Sequence, residues 1–169
     1  MKNFIKLLVV ILPILFSCST NTDVIQQDID TKLYANFTKC LNEISIMKVE
    51  TDTVPMTKIE WQYDNNILSI QHKNAGFNCC FDKIEIDVEI LDNKINIKET
   101  DIGDKCFCNC PRDIDFQIKS ISQGTYTFNV IEALDIGEFS PISFELELKN
   151  GNKGEISFER PEYPWGLEN

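Results

Sequence analysis

The sequence predicts an all-β domain, an antiparallel β-sandwich that is immunoglobulin-like in the broad sense and has eight or nine strands. Apolar and polar residues alternate with a period of two in successive short segments, which is typical of strands with one buried face. Asn, Asp and Gly residues separate these segments, and no convincing long helical pattern lies between them. Short strands in sequential hairpins favour a sandwich over a barrel.

The alternating segments follow one another along most of the chain. Their inward positions are predicted at 59–63, 68–72, 84–90, 95–97, 114–118, 126–130, 142–148 and 156–158. The clearest segment is Ile84 to Ile90, where Ile and Val at even positions alternate with acidic residues. One face of this strand is therefore expected to pack in the core and the other to face solvent. Asn74-Ala75-Gly76 is expected to break the strand that contains His72.

The segment 33–47 fits two interpretations. Its apolar residues would form a helical stripe, whereas its Asn, Thr and β-branched residues favour a strand. We favour a first strand that ends near Cys40.

The N-terminus has the features of a secretory signal. Lys2 and Lys6 precede an apolar run, 7–16, that is too short for a membrane-spanning helix. Leu15-Phe16-Ser17-Cys18 resembles the bacterial lipoprotein box, which implies that Cys18 is lipidated and anchors the chain to a membrane.

The domain boundaries follow from this interpretation and from composition. We expect a signal peptide at 1–17, a lipidated tether at 18–31, a β-sandwich domain at 32–160 and an irregular tail at 161–169. The net charge of −11 becomes more negative without the signal peptide, and such a chain should be repelled by nucleic acid. The expected partners are therefore the membrane, through the lipid, and an unknown protein or glycan.

Six cysteines remain when Cys18 is set aside, and an even number in an exported chain is typical of a disulfide framework. They are Cys40, Cys79, Cys80, Cys106, Cys108 and Cys110. In an extended Cys-x-Cys-x-Cys run the thiols share one face, roughly 6.5–7 Å apart, whereas a disulfide needs Cβ atoms about 3.5–4.5 Å apart. We expect the three cysteines of 106–110 to pair with the other three, with the connectivity left open.

A metal site is the alternative use of these thiols. Thiolates with one imidazole suit zinc or copper, and the candidate ligands are His72, Cys79, Cys80, Cys106, Cys108 and Cys110. His72, however, shares the apolar face of its strand and is expected to be a hydrogen-bonded core residue. Because an oxidising compartment consumes thiols as disulfides, we expect no cofactor.

Four blocks of residues together carry a resemblance to known proteins. They are Asn36-Phe37-Thr38-x-Cys40, His72-x-Asn74-Ala75-x-Phe77-Asn78-Cys79-Cys80, Cys106-x-Cys108-x-Cys110-Pro111-x-Asp113 and Gly124-x-Tyr126. The chain resembles, over about 36–160, a group of small exported lipoproteins from Bacteroidetes-type bacteria. The resemblance implies a location in the cell envelope and the limits of the domain, and it implies no activity.

Catalytic motifs are missing from the sequence, which has one histidine, no Gly-x-Ser-x-Gly, no His-Glu-x-x-His and no Cys-x-x-Cys. We therefore expect a protein that is not an enzyme. Two function classes stay open, namely a disulfide-stapled binding or structural module and an envelope protein that handles zinc or copper.

Overall fold

The computed structural model describes residues 29–41, 56–134 and 141–160. These ranges contain nine strands and no helix, which confirms the all-β class and the predicted number of strands. The strands are β1 (Ile29–Phe37), β2 (Met56–Asp64), β3 (Ile67–Asn78), β4 (Lys83–Leu91), β5 (Lys94–Ile102), β6 (Asn109–Lys119), β7 (Gly124–Ile131), β8 (Ile142–Leu148) and β9 (Lys153–Glu159).

Several predictions lie outside the described residues, namely the signal peptide, the lipidation site at Cys18 and the tail at 161–169. The first strand, β1, begins at Ile29, inside the segment interpreted as the tether, and ends at Phe37, shortly before Cys40. None of the described residues belongs to a helix that is long and apolar enough to cross a bilayer.

The nine strands form a single sheet in the order β8-β7-β5-β4-β1-β6-β3-β2-β9. All neighbouring pairs are antiparallel except β5 and β7, which run parallel. The sheet is curled into a half-barrel, with β8-β7-β5-β4 as one half and β6-β3-β2-β9 as the other, and β1 belongs to both halves. It pairs with β4 through Ala35 and with β6 from Asn36 onward, so one continuous strand joins them.

The core lies on the inner face of the curled sheet. In β4, Ile84, Ile86, Val88 and Ile90 are all buried, as the alternation predicts. On the other face of β4, acidic residues form ion pairs with Lys32 of β1. The outermost strands also approach each other, since the rings of Phe144 in β8 and Phe158 in β9 have centroids 6.0 Å apart.

Asparagine-rich turns connect the strands at the predicted places. Asn65 and Asn66 adopt φ values of 49° and 61° between β2 and β3, the left-handed conformation that a tight hairpin requires. The expected break at Asn74-Ala75-Gly76 is wrong, because β3 continues to Asn78. Its register shifts between His72 and Ala75, and Asn74, with φ 59°, absorbs the extra residue as a β-bulge.

Candidate functional site

Three disulfides converge at one end of the sheet. They are Cys40–Cys110, Cys79–Cys108 and Cys80–Cys106. None of them joins two cysteines of 106–110 or the vicinal pair 79–80, which is the outward pairing that the spacing predicts. We call these six residues the cystine cluster. Several disulfides in one domain indicate an oxidising, extracytoplasmic environment.

The geometry of the 106–110 run differs from the expectation of a fully extended strand. Strand β6 begins only at Asn109, so Cys110 is extended, as the following Pro111 predicts, but Cys106 and Cys108 precede the strand. The three thiols therefore do not share one strand face. The outward pairing results from the loop that carries Cys106 and Cys108 to the two neighbouring cysteines after β3.

Asn78 organises this loop. Its side-chain Oδ1 accepts hydrogen bonds from the backbone N–H groups of Cys80 at 3.0 Å and Cys106 at 3.1 Å. Its Nδ2 donates to the backbone oxygen of Cys106 at 2.7 Å, and its own backbone N–H donates to Asp101 Oδ2 at 3.1 Å. Because Asn78 is buried, these bonds fix the cysteine segments relative to the end of β3.

Arg112 connects the segment before Cys40 with the segment that contains Cys79. It is buried in β6, and its guanidinium donates to the carbonyl oxygens of Thr38 at 2.8 Å and Cys79 at 3.2 Å. The guanidinium carbon lies 4.6 Å from the ring centroid of Phe81 and 5.6 Å from that of Phe37. Burial lowers the pKa of Arg112. The sequence analysis did not single out this residue, since its role depends on partners distant in sequence.

Exposure changes steeply across the cystine cluster. Cys110 is buried, with 7% of its surface exposed, whereas Cys80 and Cys108 lie at the surface. Between Cys106 and Cys108, Phe107 is fully exposed. An aromatic ring is thus presented to solvent on a loop whose two flanking residues are covalently anchored.

Only two of the six metal ligands predicted from the sequence, Cys79 and Cys110, belong to a group of three candidate ligands, and the third member is Cys40, which the prediction did not include. The Sγ atoms of Cys40, Cys79 and Cys110 lie within 4.8 Å of one another. Among the described residues this is the one group of candidate metal ligands, and it does not include His72. All three sulfurs are disulfide-bonded in this structure, so they offer no thiolate.

His72 instead belongs to a second site, a buried charge cluster formed with Glu99, Glu132 and Arg160. Its Nδ1 lies 2.7 Å from Glu99 Oε1, and its Nε2 lies 3.5 Å from Glu132 Oε1. Arg160 Nη2 donates to Glu132 Oε2 at 2.5 Å. All four residues are at most 3% exposed. The expectation of a hydrogen-bonded core histidine is therefore confirmed.

The hydrogen bonds assign the protons of the His72 ring. Thr57 Oγ1 donates to the carbonyl oxygen of Lys73 at 2.8 Å, so towards His72 Nε2, also at 2.8 Å, it accepts. Nδ1 faces a carboxylate oxygen of Glu99, which favours a proton there as well. Burial lowers the pKa of His72, but the carboxylates of Glu99 and Glu132 more than offset it, and the pKa is raised. These contacts favour a ring that donates from both nitrogens.

Glu132 is the most strongly perturbed acid of the charge cluster. Burial raises its pKa to about 7, although His72 and Arg160 act to lower it. Glu99 also raises it, because the parallel pairing of Lys98 with Ile131 brings the two acids next to each other on neighbouring strands. Glu99 Oε2 and Glu132 Oε1 have no hydrogen-bond partner among the described residues.

Sequence reasoning missed the charged partners of His72, although a signal for them was present. Each lies two residues beyond an inward apolar position, with Glu99 after Ile97, Glu132 after Val130 and Arg160 after Phe158. The period of two places all three on the inner face. The predicted inward segments end at the last apolar residue, 97, 130 and 158, so none of the three charged residues was included in them.

A third feature is an open cleft of about 540 Å³ beside β2, β3 and β9. Most of the residues that line it are polar in type, with Glu60, Gln71 and Glu155 among them. Trp61 packs against Gly154, where a Cβ atom would lie only 3.1 Å from the indole Nε1. The glycine therefore serves the packing of Trp61.

Compared with known proteins, the chain matches no family model, no curated protein and no solved structure. The roles of the cystine cluster and the charge cluster therefore rest on their own geometry.

Proposed function

We propose that the protein is a lipid-anchored lipoprotein of the bacterial cell envelope whose domain is a disulfide-stapled binding module and not an enzyme. The observation that carries this proposal is the fully exposed Phe107 between two disulfide-bonded cysteines, Cys106 and Cys108. The lipoprotein signal and the acidic charge support the location and argue against a nucleic-acid partner.

The rigidity of the loop supports a binding role. A loop held by covalent bonds and by the Asn78 hydrogen bonds has little conformational entropy left to lose when it meets a partner. Large aromatic side chains contribute disproportionately to binding energy in interfaces. Phe107 is therefore a suitable anchor for a protein partner or for the apolar face of a glycan.

Photo-crosslinking tests the binding role. A photoreactive phenylalanine analogue at position 107, introduced into the full-length protein in cells, should give discrete cross-linked products. The same analogue at Leu91, the last residue of β4, which is 42% exposed, is the matched control and should give none of them. Identical patterns at both positions, or no product at position 107, would contradict the proposal.

Metabolic labelling tests the anchor. A fatty-acid label should attach to the wild-type protein and not to Cys18→Ala, and that variant should leave the membrane fraction. Equal labelling of the two proteins would contradict the proposal that Cys18 is lipidated, and it would not affect the proposal that the loop binds a partner.

The way in which the two halves of the curled sheet pack against each other is a further part of this proposal. We propose that its two halves act as the layers of an immunoglobulin-like sandwich. The Phe144–Phe158 contact and the Arg160–Glu132 ion pair, which both run between the halves, support this description. An experimental structure with a measurable gap between the halves would contradict it.

Handling of zinc or copper is the second candidate function, and the proximity of three sulfurs favours it. In reduced protein, Cys40, Cys79 and Cys110 would offer three thiolates within 4.8 Å of one another. Metal content and free-thiol count of protein prepared from its native compartment separate the two candidates. Six free thiols with stoichiometric metal would favour metal handling. Protein that contains no free thiol and no metal would favour the stapled module.

A further inference from the structure

Cys79 lies next to a disulfide to which it does not belong. Its Sγ is within 4.8 Å of both sulfurs of the Cys40–Cys110 bond. Its own partner, Cys108, is exposed, whereas Cys40 is half-buried and Cys110 is only 7% exposed. An external thiol can therefore reach Cys108 more easily than either cysteine of the Cys40–Cys110 bond.

We propose that Cys79 is a thiol–disulfide exchange residue that connects the Cys79–Cys108 bond, which is exposed at Cys108, to the less exposed Cys40–Cys110 bond. The substrate class is a thiol, either a small molecule or the exposed cysteine of another protein.

The exchange proceeds in two balanced steps. An external thiolate attacks Cys108 Sγ, the Cys79–Cys108 bond breaks, and Cys79 leaves as a thiolate while Cys108 carries the mixed disulfide. The Cys79 thiolate then attacks Cys40 or Cys110, whose bond breaks as the new bond to Cys79 forms, and the other cysteine leaves as a thiolate. Each step exchanges one disulfide for another, so the number of disulfides is unchanged.

A cation contacts the backbone of Cys79. The guanidinium of Arg112 donates to the carbonyl oxygen of Cys79 at 3.2 Å, which places a positive charge beside this residue. A nearby cation stabilises a thiolate relative to the thiol. The third disulfide, Cys80–Cys106, contributes no sulfur to the group around Cys79 and should take no part in the exchange with Cys40–Cys110.

Two matched variants test the proposal without a reductant. Cys108→Ser leaves Cys79 without its partner, and Cys106→Ser leaves the neighbouring Cys80 without its partner. Each full-length protein is isolated from an oxidising compartment, quenched in acid, alkylated and mapped without reduction. In Cys108→Ser, we expect a bond from Cys79 to Cys40 or Cys110, with the remaining cysteine alkylated. In Cys106→Ser, we expect the Cys40–Cys110 bond to stay intact.

The proposal is overturned if Cys108→Ser keeps Cys40–Cys110 complete with Cys79 alkylated, or if both variants lose that bond equally. Wild-type protein treated with a limiting small dithiol gives a second measurement that does not depend on the folding of a variant. Alkylation of Cys40 or Cys110 should appear together with a new bond to Cys79. Direct loss of Cys40–Cys110 with no such bond would also overturn the proposal.

Discussion

The charge cluster contains His72 of β3 and the cystine cluster contains Cys79, which follows β3, yet the two clusters are held together in opposite ways. The cystine cluster is partly open to water and is fixed by three covalent bonds. The charge cluster is closed to water and is fixed by ion pairs. Because water screens charges, ion pairs contribute little at an exposed site, whereas they are strongly coupled in a buried one.

This difference predicts different sensitivities for the two regions. Disulfides do not titrate, so the contribution of the cystine cluster to the free energy of unfolding should depend on redox state and not on pH. The charge cluster contains two groups with raised pKa, His72 and Glu132, so its contribution should depend on pH. Measurements at different redox states and at different pH values therefore separate the contributions of the two clusters to folding stability.

The largest expected effect is the loss of the Cys40–Cys110 bond. Its sequence separation of 70 is the longest of the three, so the double variant Cys40→Ala/Cys110→Ala should lose about 4 kcal/mol of unfolding free energy through loop-closure entropy. Denaturant unfolding at several pH values measures this loss. A loss that varies strongly with pH would show that the two regions are coupled.

The second effect is the pH dependence that Glu132 confers. Its folded-state pKa of about 7 lies above the ordinary 4.5, so the folded protein binds the proton more tightly than the unfolded chain. This contribution is complete below pH 4.5 and is lost as the pH rises through 7, a decrease of about 3 kcal/mol in unfolding free energy. The raised pKa of His72 extends the decrease above pH 6.5.

Glu132→Gln should flatten the dependence that Glu132 confers, because the amide keeps an oxygen for Arg160 but cannot titrate. Glu89→Gln, at an exposed position of β4, changes the net charge equally and should retain the wild-type slope. Unfolding free energies measured between pH 4 and 9 decide the comparison. A flat wild-type profile would mean that the charge cluster does not titrate in this range.

A smaller effect should follow from the loss of the acceptor for His72 Nε2. Thr57→Val has a similar shape but no hydroxyl, and it leaves a buried donor without its 2.8 Å partner. We expect a loss of about 1–3 kcal/mol, the usual result for an unsatisfied buried group. Thr57→Ser keeps the hydroxyl and should cost much less. Equal losses in the two variants would assign the effect to packing.

The smallest effect is expected on the outer face of the sheet. Asp87 lies 3.6 Å from the ammonium of Lys32 and is partly exposed to solvent. Asp87→Ala should therefore change the unfolding free energy by no more than about 0.5 kcal/mol. Denaturant unfolding beside the wild type measures it. A change as large as that of Thr57→Val would show that burial does not separate the strong ion pairs from the weak ones.

The sequence by itself determined the features that depend on local periodicity and reach. Alternation placed Ile84, Ile86 and Val88 in the core, because adjacent side chains of a strand point to opposite faces. The spacing of the cysteines in 106–110 predicted their pairing with other segments, although its premise of an extended strand holds only for Cys110. The turn residues Asn65 and Asn66 marked a hairpin, because asparagine tolerates positive φ.

Only the tertiary structure decided which distant segments meet. The parallel pairing of β5 with β7 brings Glu99 beside Glu132, and the curl of the sheet brings Arg160 to the same place. No local pattern contains this information, because the environment of an inward carboxylate depends on the cations that other strands supply. The same holds for the position of Cys79 between its own disulfide and Cys40–Cys110, since that proximity arises from the convergence of β1, β3 and β6.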